Sequence, residues 1–246
     1  MKLDLQDRST RPASPAAFVR LDNWSGFPLL NRWFALLFPL GASAVAFTLW
    51  CMLTSAELRL LAGEGGLVER MTELLYFAMA VAFAVTPRLG APGVVRHALV
   101  IVMLACGARE MDLHKAWTEK SVLKLSFYSG DAGWGLKLVA ALVVVSALAA
   151  IGLLLRKYAA TVWKGWRHGS RTATTVLVFG ASMAFSKLLD RSPALLAESF
   201  GVVVPEPLFV LVGAFEELIE LSLPMVVFVG WWQHLQDRVL NSKTPA

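Results

Sequence analysis

Six long apolar stretches dominate the pattern of hydrophobic and polar positions. They cover approximately residues 33–53, 69–86, 94–110, 134–155, 172–190 and 207–232. Within them the apolar residues show no helical or strand alternation, which is typical of segments that are apolar on every side. About 20 mostly apolar residues suffice for a helix to cross a bilayer. The pattern therefore predicts an all-α, polytopic integral membrane helical bundle with about six transmembrane helices.

The composition agrees with a membrane protein. Of the 246 residues, 57% are hydrophobic and 17% are charged, whereas soluble domains are about 25% charged. The net charge of +5 would suit a nucleic-acid partner, but the basic residues follow the loops between the apolar stretches, so no nucleic-acid partner is expected. Residues 1–32 have no apolar core near their start, which predicts no removable signal peptide.

Basic residues concentrate in alternate loops. Lys and Arg are frequent in the N-terminal tail, in the loops 87–96 and 156–171, and in the C-terminal tail. The positive-inside rule places these four segments in the cytoplasm. We therefore expect a bacterial inner-membrane protein with both termini cytoplasmic. Its predicted parts are a polar N-terminal tail (1–32), a six-span membrane domain (33–232) and a C-terminal tail (233–246).

Two of the predicted outer loops are unusually apolar. Residues 111–133 are expected to form a helix lying in the membrane interface. In the loop 191–207, Ser192 and Pro193 predict the N-cap and first position of a short helix. We expect both loops to lie against the outer surface of the bilayer.

Glutamates lie within the last apolar stretch and at the start of the second apolar stretch. Glu216 and Glu220 lie on one helix face, and Glu217 falls within the same arc of about 100°. The second span starts with Glu69 and Glu73, which also share a face. Ionisable residues inside a membrane face the bundle interior and mark functional sites.

Charged residues also end the third and fifth spans. The third ends in "CGAREMDLHK", which contains Arg109, Glu110 and His114, and the fifth ends in "SMAFSKLLDR", which contains Lys187, Asp190 and Arg191. The start of an inward span and the end of an outward span lie on the same side of a membrane. Parity therefore predicts that the charged groups of spans two, three, five and six meet at the outer, periplasmic-side face.

Each of these groups also has a plainer explanation. A structural salt bridge to Lys187 or Arg191 would account for the glutamates of span six, and the helix dipole for the acids that begin span two. His114 would then be a solvated interfacial residue, and Ser182 and Ser186 would bond their own helix backbone.

The grouping favours a membrane-embedded hydrolase or lipid-modifying enzyme acting on a lipid or lipid-linked substrate. A divalent ion (Mg²⁺, Mn²⁺, Ca²⁺ or Zn²⁺) would lower the pKa of a bound water, and a free glutamate or the histidine would be its general base. The predicted roles are catalytic for Glu110, His114, Glu216 and Glu220, headgroup-binding for Arg109, Lys187 and Arg191, and metal-binding for Glu73, Asp190 and Glu217.

Two other classes of function stay open. A proton- or cation-coupled transporter or channel would use the glutamates of span six to carry protons or ions. A non-catalytic membrane subunit would use the charges to stabilise a bundle or dock a partner. The sequence also leaves a homo-oligomer open.

Two families of membrane hydrolases are relevant to this pattern, but neither is matched. The E-x3-E spacing of Glu216 and Glu220 loosely resembles motifs of membrane lipid-pyrophosphate phosphatases, but the Ser/Arg-rich partner loop of those enzymes is missing. The histidine cluster of membrane ceramidase-like metal hydrolases is missing as well. No residue role is therefore taken from either family.

Overall fold

The protein is helical throughout the residues that its computed structural model describes. These are residues 31–86, 93–112, 122, 124–130 and 132–243, and they contain no strand. A 3-10 turn (Phe34–Leu36) precedes eight helices: α1 (Leu37–Met52), α2 (Ser55–Ala62), α3 (Leu67–Val85), α4 (Gly93–Glu110), α5 (Leu125–Tyr128), α6 (Trp134–Arg167), α7 (Arg171–Phe200) and α8 (Glu206–Lys243). The predicted all-α fold is confirmed.

Three of the described helices are long and apolar enough to cross a membrane. They are Phe34–Met52, Trp134–Arg167 and Arg171–Phe200. Little of their apolar surface is covered by protein, and in the longest of them only 11% of the most apolar window is buried. A large apolar surface left uncovered by protein is suited to contact with lipid. The chain therefore has the helices of a membrane protein.

Five helices close into a ring. Helix α3 packs against α4 and α8, α6 packs against α4 and α7, and α7 packs against α8. Helix α1 lies outside the ring along α8, and α2 contacts α3 and α8. An apolar cluster inside the ring joins α3, α4 and α8 through Tyr76, Phe83, Met103 and Leu223.

Helix α1 is fixed to α8 at both of its ends. Near the C-terminus of α1, Trp50 Nε1 donates a hydrogen bond of 2.9 Å to the carbonyl of Pro207. Ala46 is fully buried there, in a cluster with Val210 and Ala214. At the other end, Ala35 packs among residues of α7 and α8. These contacts align α1 antiparallel to the first two-thirds of α8.

The segment 191–207 differs from its prediction. Helix α7 continues through Pro193 to Phe200 and ends at Gly201, whose φ of +65° is the left-handed conformation typical of a C-cap. Ser192 does not cap a new helix, because its hydroxyl donates to the carbonyl of Leu189 at 2.8 Å. The prediction of a separate short helix was wrong. A proline inside a helix removes one backbone hydrogen bond, and a long helix that is packed against its neighbours tolerates this loss. Likewise, α8 continues past residue 232 to Lys243.

Helix α2 has no counterpart among the predicted elements. Its N-terminus is a capping box in which Thr54 Oγ1 accepts from the Glu57 amide and Glu57 Oε2 accepts from the Thr54 amide at 2.9 Å. Hydrogen bonds from Thr54 to the carboxylate hold the pKa of Glu57 below its usual range. The predicted interfacial helix over 111–133 falls largely outside the described residues, and the described part contains the short α5.

Candidate functional site

Glu220 is the centre of a buried polar network. Only 5% of its side chain is exposed. Its Oε2 accepts from Arg109 Nη2 at 3.0 Å, and its Oε1 accepts from Lys187 Nζ at 2.7 Å. The hydroxyl of Ser186 donates to the same Oε1 at 2.5 Å. One carboxylate of α8 therefore connects the end of α4 with the middle of α7.

Two further carboxylates extend the network. Arg109 donates to Glu110 Oε1 from Nε at 3.1 Å and from Nη2 at 2.5 Å. Lys187 Nζ lies 3.2 Å from Glu216 Oε1. We call the resulting set the charged network; it comprises Arg109, Glu110, Ser186, Lys187, Glu216 and Glu220. It contains three carboxylates and two bases, so it carries more acid than base.

The local sequence explains why these side chains converge. Glu216 and Glu220 are one helical turn apart and therefore point in similar directions from α8. Arg109 and Glu110 are the last two residues of α4, where the chain leaves the helix. Pro224 lies four residues after Glu220 within α8 and has no N–H to donate to the Glu220 carbonyl.

Acids and bases of the network differ in depth. The side chains of Glu110 and Glu220 are 7% and 5% exposed, whereas those of Arg109 and Lys187 are 40% and 38% exposed. Glu216 is intermediate, at 18%. The buried carboxylates thus fix the inner ends of two bases whose outer sides stay accessible.

The other predicted site residues lie outside this network. Glu73 and Glu217 are half-buried, and among the described residues no hydrogen bond or ion pair reaches either side chain. Asp190 and Arg191 are exposed on α7. His114 falls outside the described residues, so its role stays a prediction. Of the four predicted charged groups, the structure joins those of α4, α7 and α8.

The described carboxylates do not form a ready-made group of metal ligands. Within these residues no group of three His, Cys, Asp or Glu side chains is arranged to hold a metal ion. Both oxygens of Glu220 already accept from protein donors, whereas a hard cation requires several free oxygens. The divalent ion assigned to Glu73, Asp190 and Glu217 stays a prediction.

Sequence reasoning missed a second polar layer between α7 and α8. Thr175 Oγ1 donates to Gln233 Oε1 at 2.7 Å, and both side chains are buried. Arg171 forms an ion pair with Asp237, which also accepts from Thr172 at 3.2 Å. The only sequence signal was a threonine-rich start of the fifth span, which is a weak one.

An apolar layer separates the two polar layers. Ser186 and Thr175 are 11 positions apart on α7, or roughly 16 Å at the rise of an α-helix. Phe179 and Met183 fill this interval on α7, and Leu223 and Val227 fill it on α8. Apolar side chains thus occupy most of this interval, in which the buried Ser182 and Ser222 also lie.

The role of Ser186 was also missed. The expectation was that Ser182 and Ser186 would bond the backbone of their own helix, but Ser186 is fully buried and bonds Glu220. The available signal was the position of Ser186 directly before Lys187.

No protein-family model, curated protein sequence or solved structure matches this chain. Fold and site geometry are therefore the basis for any functional conclusion.

Proposed function

We propose that this chain is a six-span protein of a bacterial inner membrane, with both termini cytoplasmic, that hydrolyses or otherwise modifies a lipid or lipid-linked substrate at the charged network. Helices α3, α4 and α8 complete the six spans alongside the three apolar helices. Their polar residues are compatible with this arrangement because ionisable residues of membrane helices face the bundle interior. The basic loops support the orientation, which puts the network toward the periplasmic side.

One observation carries the enzymatic part of the proposal: two half-exposed bases share one buried carboxylate. Arg109 and Lys187 contact different oxygens of Glu220, and these oxygens are about 2.2 Å apart, as carboxylate bond lengths require. The two charged nitrogens therefore lie within roughly 8 Å of one another. A guanidinium has five N–H donors and an ammonium three, and the described acceptors do not use all of them. The pair can hold an anionic headgroup, such as a phosphate, from two sides.

The carboxylates supply the acid–base chemistry of this proposal. A general base has to reach an attacking water, and Glu216 is the most accessible carboxylate of the network. Glu110 and Glu220 lie deeper, beside the bases that would hold the headgroup. In a metal-dependent form of the reaction, residues other than Glu220 would hold the ion, because the two oxygens of Glu220 are occupied.

The test is turnover of lipids by the purified protein. The chain would be reconstituted in nanodiscs of a bacterial phospholipid extract, and the lipids and released headgroups would be followed by mass spectrometry. We expect Lys187→Met to reduce turnover at least about 100-fold, the scale of a lost charge interaction in a catalytic site. Glu206→Gln, which breaks an exposed ion pair with Arg59, is the matched control and should change turnover less than twofold. Full turnover by Lys187→Met would contradict the proposal.

A non-catalytic membrane subunit is the second candidate. It is favoured by the observation that each carboxylate of the network is bonded to Arg109 or Lys187, as a purely structural network would require. In that case the wild-type protein would turn over no lipid, and Lys187→Met would act only on folding or assembly. The apolar layer inside the ring argues against the transporter alternative.

A further inference from the structure

Two carboxyl groups of the network meet at a single nitrogen atom. Arg109 Nη2 lies 2.5 Å from Glu110 Oε1 and 3.0 Å from Glu220 Oε2. The separation of the two oxygens cannot exceed the sum of these distances, about 5.5 Å. Both side chains are more than nine-tenths buried. Two like charges this close in a low-dielectric interior cannot both stay ionised without compensation.

The network has one more acidic group than it has basic groups. Its three carboxylates face two bases, so a fully ionised network would carry one surplus negative charge inside the bundle. An uncompensated buried charge is costly, and a carboxyl group avoids this cost by taking up a proton. One proton makes the network neutral.

We propose that Glu110 and Glu220 share one proton and that it resides on Glu110. Glu220 accepts from two bases and from the Ser186 hydroxyl, all of which favour its ionised form. Among the described bases, Arg109 alone donates hydrogen bonds to Glu110, and only at Oε1. The inference rests on the site of the proposed function but not on its reaction.

The groups facing Glu110 from the helices around it are consistent with this assignment. Tyr76, which is 1% exposed, supplies no positive charge. The titratable and charged groups around the pair are Tyr76 on α3, Cys106 and Arg109 on α4, Lys187 on α7, and Glu216 and Glu217 on α8.

A carboxyl group that stays protonated at this position would suit the proposed enzyme. Hydrolysis requires an acid near the leaving group, and burial beside a like charge is how proteins keep a carboxyl group protonated at neutral pH. The proton would also remove the surplus negative charge of the network itself from beside Arg109 and Lys187, the bases that would bind an anion.

The first test compares the thermal stability of two glutamine variants in detergent. Glutamine has the shape and neutrality of a protonated glutamate, so Glu110→Gln should change the melting temperature by less than about 2 °C. Glu220→Gln removes the charge that two bases require and should lower it by roughly 5–10 °C. A Glu110→Gln protein that fails to fold, or that melts as low as Glu220→Gln, would overturn the proposal.

The second test reads the proton directly by infrared spectroscopy at neutral pH. The wild-type protein should show carbonyl absorption of a protonated carboxyl group, and Glu110→Gln should remove part of it. Glu206→Gln changes an exposed, paired glutamate and should leave it intact. An unchanged band in Glu110→Gln would overturn the inference. Neither test uses a substrate. If the band is present but the protein turns over no lipid, the proposed function is refuted while the inference about the proton stands.

Discussion

Helices α7 and α8 carry two polar layers that differ in composition and in connections. In the layer of Thr175, Gln233, Arg171 and Asp237, a hydrogen bond joins the neutral side chains of Thr175 and Gln233, and Arg171 pairs with Asp237, so this acid and this base balance. The charged network, roughly 16 Å away along the same helices, has more acid than base and also reaches α4. The balanced layer shows how little is needed to join α7 to α8. The charged network contains more charges than a simple connection between two helices requires. This is why we propose the function there.

Removing the central carboxylate should have the largest effect of the substitutions proposed here. Glu220→Leu leaves Arg109 and Lys187 without their shared acid, and breaking a buried ion pair costs about 3–5 kcal/mol. We expect a loss of this size in the free energy of unfolding, measured by SDS titration in mixed micelles. A loss below about 1 kcal/mol would mean that the network contributes no more than an exposed ion pair.

The balanced layer should respond less. Gln233→Leu leaves the buried Thr175 hydroxyl without its acceptor, and an unsatisfied buried group costs about 1–3 kcal/mol. The double variant Thr175→Val/Gln233→Leu removes both partners and should recover most of this loss in the same titration. If the single and double variants were equally unstable, packing rather than hydrogen bonding would govern this layer.

An exposed ion pair gives the next smaller effect. Arg59 and Glu206 are 2.9 Å apart, with 51% and 70% of their side chains exposed. Exposed pairs contribute roughly 0–1 kcal/mol, so Arg59→Ala should change the free energy of unfolding by less than 1 kcal/mol. A larger change would show that this contact holds α2 against α8.

The capping box of α2 gives a local effect that depends on pH. Because the pKa of Glu57 lies below its ordinary value in the folded protein, its contribution is complete above the unfolded value and is lost as the pH falls through the lowered one. Amide hydrogen exchange should therefore show faster exchange at the start of α2 near pH 3 than near pH 6, after correction for intrinsic rates. Thr54→Ala removes the side-chain hydrogen bond to the carboxylate and keeps the backbone one, which is the larger cause of the lowered pKa, so it should reduce the difference without abolishing it.

The sequence predicts the helical bundle well because long apolar stretches have one satisfactory conformation in a membrane. The beginning of α3, both ends of α4 and the start of α6 lie within two residues of their predicted positions. The ends of α6, α7 and α8 do not. Helix α6 continues to Arg167 instead of ending near residue 155, and the apolar run after Pro193 and the polar run after residue 232 likewise allow a helix to continue. Periodicity alone does not mark such ends; the left-handed Gly201 does so for α7.

The candidate site was predicted in part, because the order of the spans gives only some of the information that the site requires. Parity along the chain indicates which span ends share a side, and Arg109, Glu110, Lys187, Glu216 and Glu220 do converge in the described structure. It does not give the rotation of each helix about its axis. This is why the bond from Ser186 to Glu220 could not be predicted. Asp190 and Arg191, about one turn beyond Lys187 on the same side of α7, are exposed.

The long sequence separation between Arg109 and Glu220 has a consequence for biosynthesis. The two residues are 111 positions apart, so at 5–20 residues per second a ribosome needs roughly 6–22 s to make the second after the first. During that interval the nascent α4 already carries Glu110 as a neighbour for the guanidinium. This adjacent acid can neutralise Arg109 while the translocon releases the earlier helices, and α8 then completes the contact when it emerges last.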